Sequence, residues 1–169
     1  MEIKVPFYNI INIFLPGLVL LGAVVLLFLD KVKVLVQEIT DIGSAGLEVL
    51  VTVSLFAIAY EAGYIIFRIG SIVIEPILKK LFVWTEYSDF IAAKKSSDKA
   101  HDKLETLSRE YAYSRTHITL FLILIILSGV RSLWWIAFLC VLILALFIVT
   151  VRGHMKRIQK IVKQYNPLS

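Results

Sequence analysis

Glu61 and Arg115 are the two side chains whose type and placement could do chemistry. Each interrupts a long apolar run, where an ionisable group is costly enough that it faces a bundle interior, a cavity or a partner. Counted from the same side, Glu61 lies about 9 Å and Arg115 about 6 Å inside its run, at the helical rise per residue. The matched depths predict a Glu61 to Arg115 pair, within one subunit or across an interface, with Tyr60, Tyr64, Tyr113 and His117 as hydrogen-bond partners. Such a pair can orient helices, conduct an ion or proton, or act as a switch.

Other chemistry has little to stand on. There is no Walker loop, GxGxxG or HExxH, and His101, His117 and His154 are neither clustered nor spaced with cysteines for a metal. No run carries a paired aspartate or a serine beside a basic partner. The expectation is a protein that is not an enzyme, with no cofactor and no metal. Cys140, the single cysteine, sits mid-run as a small packing residue and excludes an intrachain disulfide.

The elements that position Glu61 and Arg115 follow from hydropathy. The hydrophobic share is 59%, against roughly 45–50% for soluble domains, and mean hydropathy is +0.82. The apolar residues form long runs instead of the interleaved pattern of a soluble amphipathic helix. Four stretches, at 10–29, 49–67, 111–130 and 133–151, approach the roughly 20 residues that cross a hydrocarbon core. The first is a retained span, too long for a signal peptide. The fold class is therefore an all-α integral membrane protein of four transmembrane helices, a single membrane domain over 1–169. The charge-free part of the third span, Ile118 to Val130, reaches only about 20 Å, so this span must submerge Arg115 and His117 to cross.

Lysines and arginines set the orientation. Arg68, Lys79, Lys80, Lys94, Lys95, Lys99, Lys103 and Arg109 lie between the second and third spans, and Arg152, Lys156, Arg157, Lys160 and Lys163 follow the fourth. With Lys4 they outnumber Lys31, Lys33 and Arg131 on the other side, which predicts both termini in the cytoplasm. The cytoplasmic segment then covers about 69–110 and the basic tail 152–169. Within the segment, 69–84 suits a helix leaving the bilayer and bending along its surface, since it holds Glu75-Pro76 and Lys79-Lys80. Ser96-Ser97-Asp98 starts a helix that runs through Val130, with Ala100, Leu104, Leu107 and Tyr111 on one face and Glu105 paired to Arg109. The loop at 30–44 suits an interfacial segment, with Ser44 capping the second span. The turn near 129–132 is short enough to make the third and fourth helices neighbours.

Ala59 and Gly63 offer a small-xxx-small packing face, joined by Gly17 and Gly22 on the first span. Four thin helices enclose little interior, so a homo-oligomer is expected. The tail carries five cations and no acid beside Met155, Ile158, Ile161, Val162 and Tyr165, a pattern for anionic lipid headgroups or a protein partner ahead of nucleic acid. Lys99, Lys103 and Arg109 extend this partner or lipid surface.

Asn12-Ile-Phe-Leu-Pro-Gly, Tyr60-Glu-Ala-Gly-Tyr, Arg68-Ile-Gly-Ser with Glu75, and Arg109-Glu-Tyr-Ala-Tyr-Ser-Arg-Thr give a layout that resembles the small four-helix bacterial membrane proteins of antiviral defence operons, in particular the membrane component of the Kiwa system. The resemblance covers the chain in layout and carries over no functional residue. It implies a homo-oligomer, such as a tetramer, in the bacterial inner membrane that senses infection with a cytosolic effector. Two functions follow as expectations: an oligomeric sensor and scaffold docking a cytosolic partner, or an oligomeric ion channel or pore-forming effector.

Overall fold

The computed structural model describes residues 7–41, 45–82 and 84–165, and all the regular structure among them is helical. The helices are α1 (Phe7–Leu27), α2 (Leu29–Asp41), α3 (Ala45–Ile69), a π-helical turn (Gly70–Ile74), α4 (Glu75–Leu81), α5 (Tyr87–Ser96), α6 (Asp98–Val130) and α7 (Trp134–Tyr165). Four helical stretches are long and apolar enough to cross a membrane: Ile10–Leu27, Ala45–Leu81, Asp98–Val130 and Trp134–Tyr165. Lys4 and Ser44 lie outside the described residues.

Length explains the shape of the bundle. At 1.5 Å per residue, α6 and α7 reach about 50 Å, well beyond a core of about 30 Å. Their connection is a tight turn, with Ser132 in the left-handed region at φ 57° and Leu133 N–H donating to the Ser128 carbonyl at 2.9 Å. Both helices therefore start at one level, and all the excess length emerges at the opposite, basic end. There α5 packs on both. Ala93, Leu104, Ile158 and Val162 form a buried core with Phe90, Leu107 and Tyr165 around it. The apolar face of the tail, read from sequence as a lipid-facing surface, is thus taken up by a small three-helix head within the chain. Ser97 starts α6 by accepting the Ala100 N–H at 3.2 Å, one helix-start hydrogen bond of the usual N-cap kind.

Within the apolar zone α6 is central, packed by α1, α3, the π turn and α7, and residues 114–120 are all buried. On α3 the face turned inward is Ala59, Gly63 and Ile66, continued by Gly70. Gly17 and Gly63 let the α1 and α3 backbones touch: a Cβ on Gly17 would fall on the Ala59 carbonyl, and one on Gly63 on the Ile13 carbonyl. The Ala59 and Gly63 face is therefore an intrachain contact with α1, supported by stacked Phe14 and Phe56 at 5.8 Å.

The segment 69–84 differs from expectation. It does not begin a separate surface helix but prolongs α3 through the π turn to Leu81. Pro76 has no N–H to return to the preceding turn and its ring crowds the carbonyl four residues earlier. The chain widens just upstream, so that the Glu75 N–H bonds to the Gly70 carbonyl five residues back. The wide turn keeps Ile66, Gly70, Ile74 and Leu78 on the buried side at four-residue intervals.

A charged centre at the basic edge of the bundle

The π turn brings Ser71 and Glu75 against α6 at the level of Arg115. Arg115 Nη1 donates to Glu75 Oε2 and Nη2 donates to Ser71 Oγ at 2.7 Å. Lys79 Nζ holds the other Glu75 oxygen at 2.7 Å, so one carboxylate serves two cations. The guanidinium lies over the Phe67 and Tyr111 rings at 5.3 and 5.8 Å. Gly70 makes room for it, since a Cβ there would meet Thr119 Oγ1 at 2.9 Å and Arg115 Nε at 3.6 Å. The Arg115 side chain is 7% exposed and that of Glu75 22%.

This corrects the sequence-based pairing: the intrachain partner of Arg115 is Glu75, not Glu61. The expected depth of Glu61 counts back from Phe67, as though the span ended there. It continues to Leu81, and the residues facing Arg115 span Phe67 to Glu75, about ten residues past Glu61 or some 15 Å along the axis. Glu61 points the other way, opposite Ala59 and Gly63, and is exposed with no partner among the described residues. The proposed hydrogen-bond partners also lie elsewhere. Tyr60 is 40% exposed. Tyr64 OH accepts from Arg68 Nε at 2.8 Å. The His117 ring stacks on Phe147 at 4.9 Å and lies 4.0 Å from Tyr113, on the α7 side of α6, with Nδ1 3.0 Å from the Tyr113 carbonyl.

The exposed side of α3 is not uniformly apolar. Ser54, Glu61 and Arg68 recur every seven residues there, with Ala57 and half-buried Tyr64 between them. Around them Val53, Ile58 and Ile65 are also more than half exposed.

Of the surface cations read from sequence, Lys103, Arg157 and Lys160 share one groove of about 520 Å³ between α6 and α7, together with Asp102, Glu110 and Ile161. Arg109 instead pairs with Glu105, which His101 and Lys94 also approach at 3.1 and 3.9 Å. Arg152 and Lys156 line a smaller cavity beside Phe82. Lys99 and Lys163 are exposed. At the far end, Arg131 Nε donates to the Leu27 carbonyl at 2.9 Å and the guanidinium covers Phe28 at 4.3 Å, tying the α6–α7 turn to the end of α1.

Glu75, Ser71 and Tyr111 are the residues that sequence reasoning missed. The signal available was Glu75-Pro76 following Gly70, a helix-widening pattern inside a stretch that is otherwise apolar. Among the described residues no group of three or more His, Cys, Asp or Glu side chains could hold a metal. No family model, no curated protein and no solved structure matches the chain.

Proposed function

We propose that this chain is a homo-oligomeric membrane scaffold of a sensor system, which presents its three-helix basic head to an acidic cytosolic protein. The observation that carries the reading is Glu61. From Glu48 to Arg68 the exposed face of α3 extends about 30 Å, the thickness of a hydrocarbon core, and Glu61 sits about 10 Å inside Arg68. A carboxylate facing lipid at that depth is costly, and a second copy of the chain is the covering that the Ser54, Ala57, Glu61 and Tyr64 stripe supports.

The excess of lysine and arginine at the basic end supports a cytoplasmic head with both termini on that side, in the inner membrane of a bacterium. The groove bearing Lys103, Arg157 and Lys160 supports an acidic protein partner over a purely lipid-facing role, because the tail's apolar face is already buried in the head. The likeness in layout to the Kiwa membrane component supports a role in anti-phage defence. A tetramer is the assembly in keeping with that likeness.

Crosslinking in native membranes tests the assembly: cysteines placed at Ser54 or Ala57 should trap oligomers, and Glu61→Arg should abolish them. Pull-down with the products of neighbouring genes tests docking. If Lys103→Glu with Arg157→Glu leaves recovery of every partner intact, the scaffold reading is wrong. The same stripe favours a second reading, an oligomeric channel, since Ser54 and Glu61 would line a shared axis if α3 faced it. Unitary currents in planar bilayers that vanish in Glu61→Gln would decide for the channel.

A further inference from the structure

Beside the Arg115 centre two cavities, of about 300 and 450 Å³, share Phe90, Ser108 and Ala112 as walls. Three buried polar atoms without a hydrogen-bond partner belong to residues that line them: Arg115 Nε and Tyr111 OH in one, Asn12 Oδ1 in the other. These residues are each at least nine-tenths buried. A buried polar group costs free energy unless something bonds to it, so clustered orphans mark a place that something else fills.

The charge of the lining says what. In the smaller cavity Glu75 answers both Arg115 and Lys79, and in the larger Glu105 answers both Arg109 and Lys94. Each carries one cation more than its carboxylate neutralises. The Arg115 N–H and Tyr111 hydroxyl are closed off from solvent here, and a small shift of these side chains into the cavity that both residues line lets them donate to an anion, while Asn12 Oδ1 requires a donor. Arg115 lies about 22 Å along α6 from Val130, near the edge of a hydrocarbon core, and Arg109 and Glu105 lie about 9 and 15 Å further out. Ile13, Phe67 and Phe90 supply apolar walls between them.

We propose that these adjoining cavities bind the headgroup of an anionic phospholipid from the leaflet at the basic end, with its phosphate on Arg115 and Tyr111 and a headgroup hydroxyl on Asn12. Phosphatidylglycerol has that combination of acceptors and donors. The site is distinct from the exposed cations of the tail, which screening by salt releases from lipid, and it does not depend on the scaffold reading.

The test uses the full chain, extracted in detergent, washed at high salt and examined by native mass spectrometry after exchange with phosphatidylglycerol or phosphatidylcholine. Wild type should retain phosphatidylglycerol in preference. Tyr111→Phe combined with Asn12→Leu, which leaves the Arg115–Glu75 pair untouched, should lower salt-resistant retention about tenfold, as expected for two lost hydrogen bonds. Lys156→Gln with Lys160→Gln should leave it unchanged. Equal retention of the two lipids, or full retention by the double cavity variant, would overturn the proposal in favour of water-filled cavities. Displacement of the lipid by inorganic phosphate would overturn the lipid as the source of the phosphate.

Discussion

Replacing Glu75 by glutamine should destabilise the folded chain by about 3–4 kcal/mol, whereas Glu61→Gln should leave the detergent-solubilised monomer within about 0.5 kcal/mol of wild type. The magnitude follows from what each change strands. Glu75→Gln removes the counter-charge of the Arg115 guanidinium, 7% exposed, and leaves it neutral acceptors, the Ser71 hydroxyl and the new amide oxygen. Arginine cannot shed its proton to escape, so the buried charge persists. Breaking a buried pair by removing one partner costs about 3–5 kcal/mol. The upper end is reduced here because Glu75 is itself 22% exposed and water reaches that side. Arg115→Ala should cost less than Glu75→Gln, since Lys79 still holds the stranded carboxylate at 2.7 Å.

Thermal or steric-trap unfolding in detergent, at a concentration where the protein is monomeric, reads these differences. A double-mutant cycle between Arg115→Ala and Glu75→Ala should give a coupling of about 1–3 kcal/mol, and one between Arg115→Ala and Glu61→Ala should give almost none. If Glu61→Gln proves as damaging to the monomer as Glu75→Gln, or if the two couplings are equal, the pairing of Arg115 with Glu75 is refuted.

Gly63→Leu should prevent α1 from docking on α3, because its side chain would have to occupy the space of the Ile13 carbonyl, and the loss should exceed about 3 kcal/mol in the same unfolding assay. Leu104→Ala should open a cavity under fully buried Ala93 and Val162 and destabilise the head by about 2–4 kcal/mol, seen as faster amide exchange in α5 and the end of α7. Arg131→Ala should cost about 1–2 kcal/mol by removing its hydrogen bonds to the Leu27 carbonyl and its stacking on Phe28, and unfolding should then begin at α1.

Features set by runs of one residue type are legible in the sequence, and features set by where two distant runs meet are not. The four apolar helices, the unbroken α6 from Asp98 to Val130 and the neighbouring of α6 and α7 follow from hydropathy, one N-cap and a short turn. The α5 helix does not, because its residues show no clear period and it is held by Ala93 and Phe90 on a core supplied by α6 and α7. The partner of Arg115 is of the same kind. A count of depth ends the span at Phe67, just before the first cation, Arg68, and only the continuation of the helix through the π turn shows that Glu75 is the carboxylate at the right level.

That reassignment strengthens the case for Glu61 as an assembly residue. A pair with Arg115 would have neutralised Glu61 inside one chain and left α3 free to face lipid. With Arg115 held by Glu75 and Ser71, and with Arg68 directed at Tyr64, neither nearby arginine answers Glu61. Its inward neighbours Ala59 and Gly63 are spent on α1, so no small rotation of α3 can bury it within the chain without opening the contact at Gly17. The carboxylate must then be covered from outside or face lipid. These alternatives separate experimentally, because a covered Glu61 becomes resistant to a lipid-soluble carbodiimide when chains assemble and reactive when they are diluted apart, whereas a lipid-facing one reacts equally in both states.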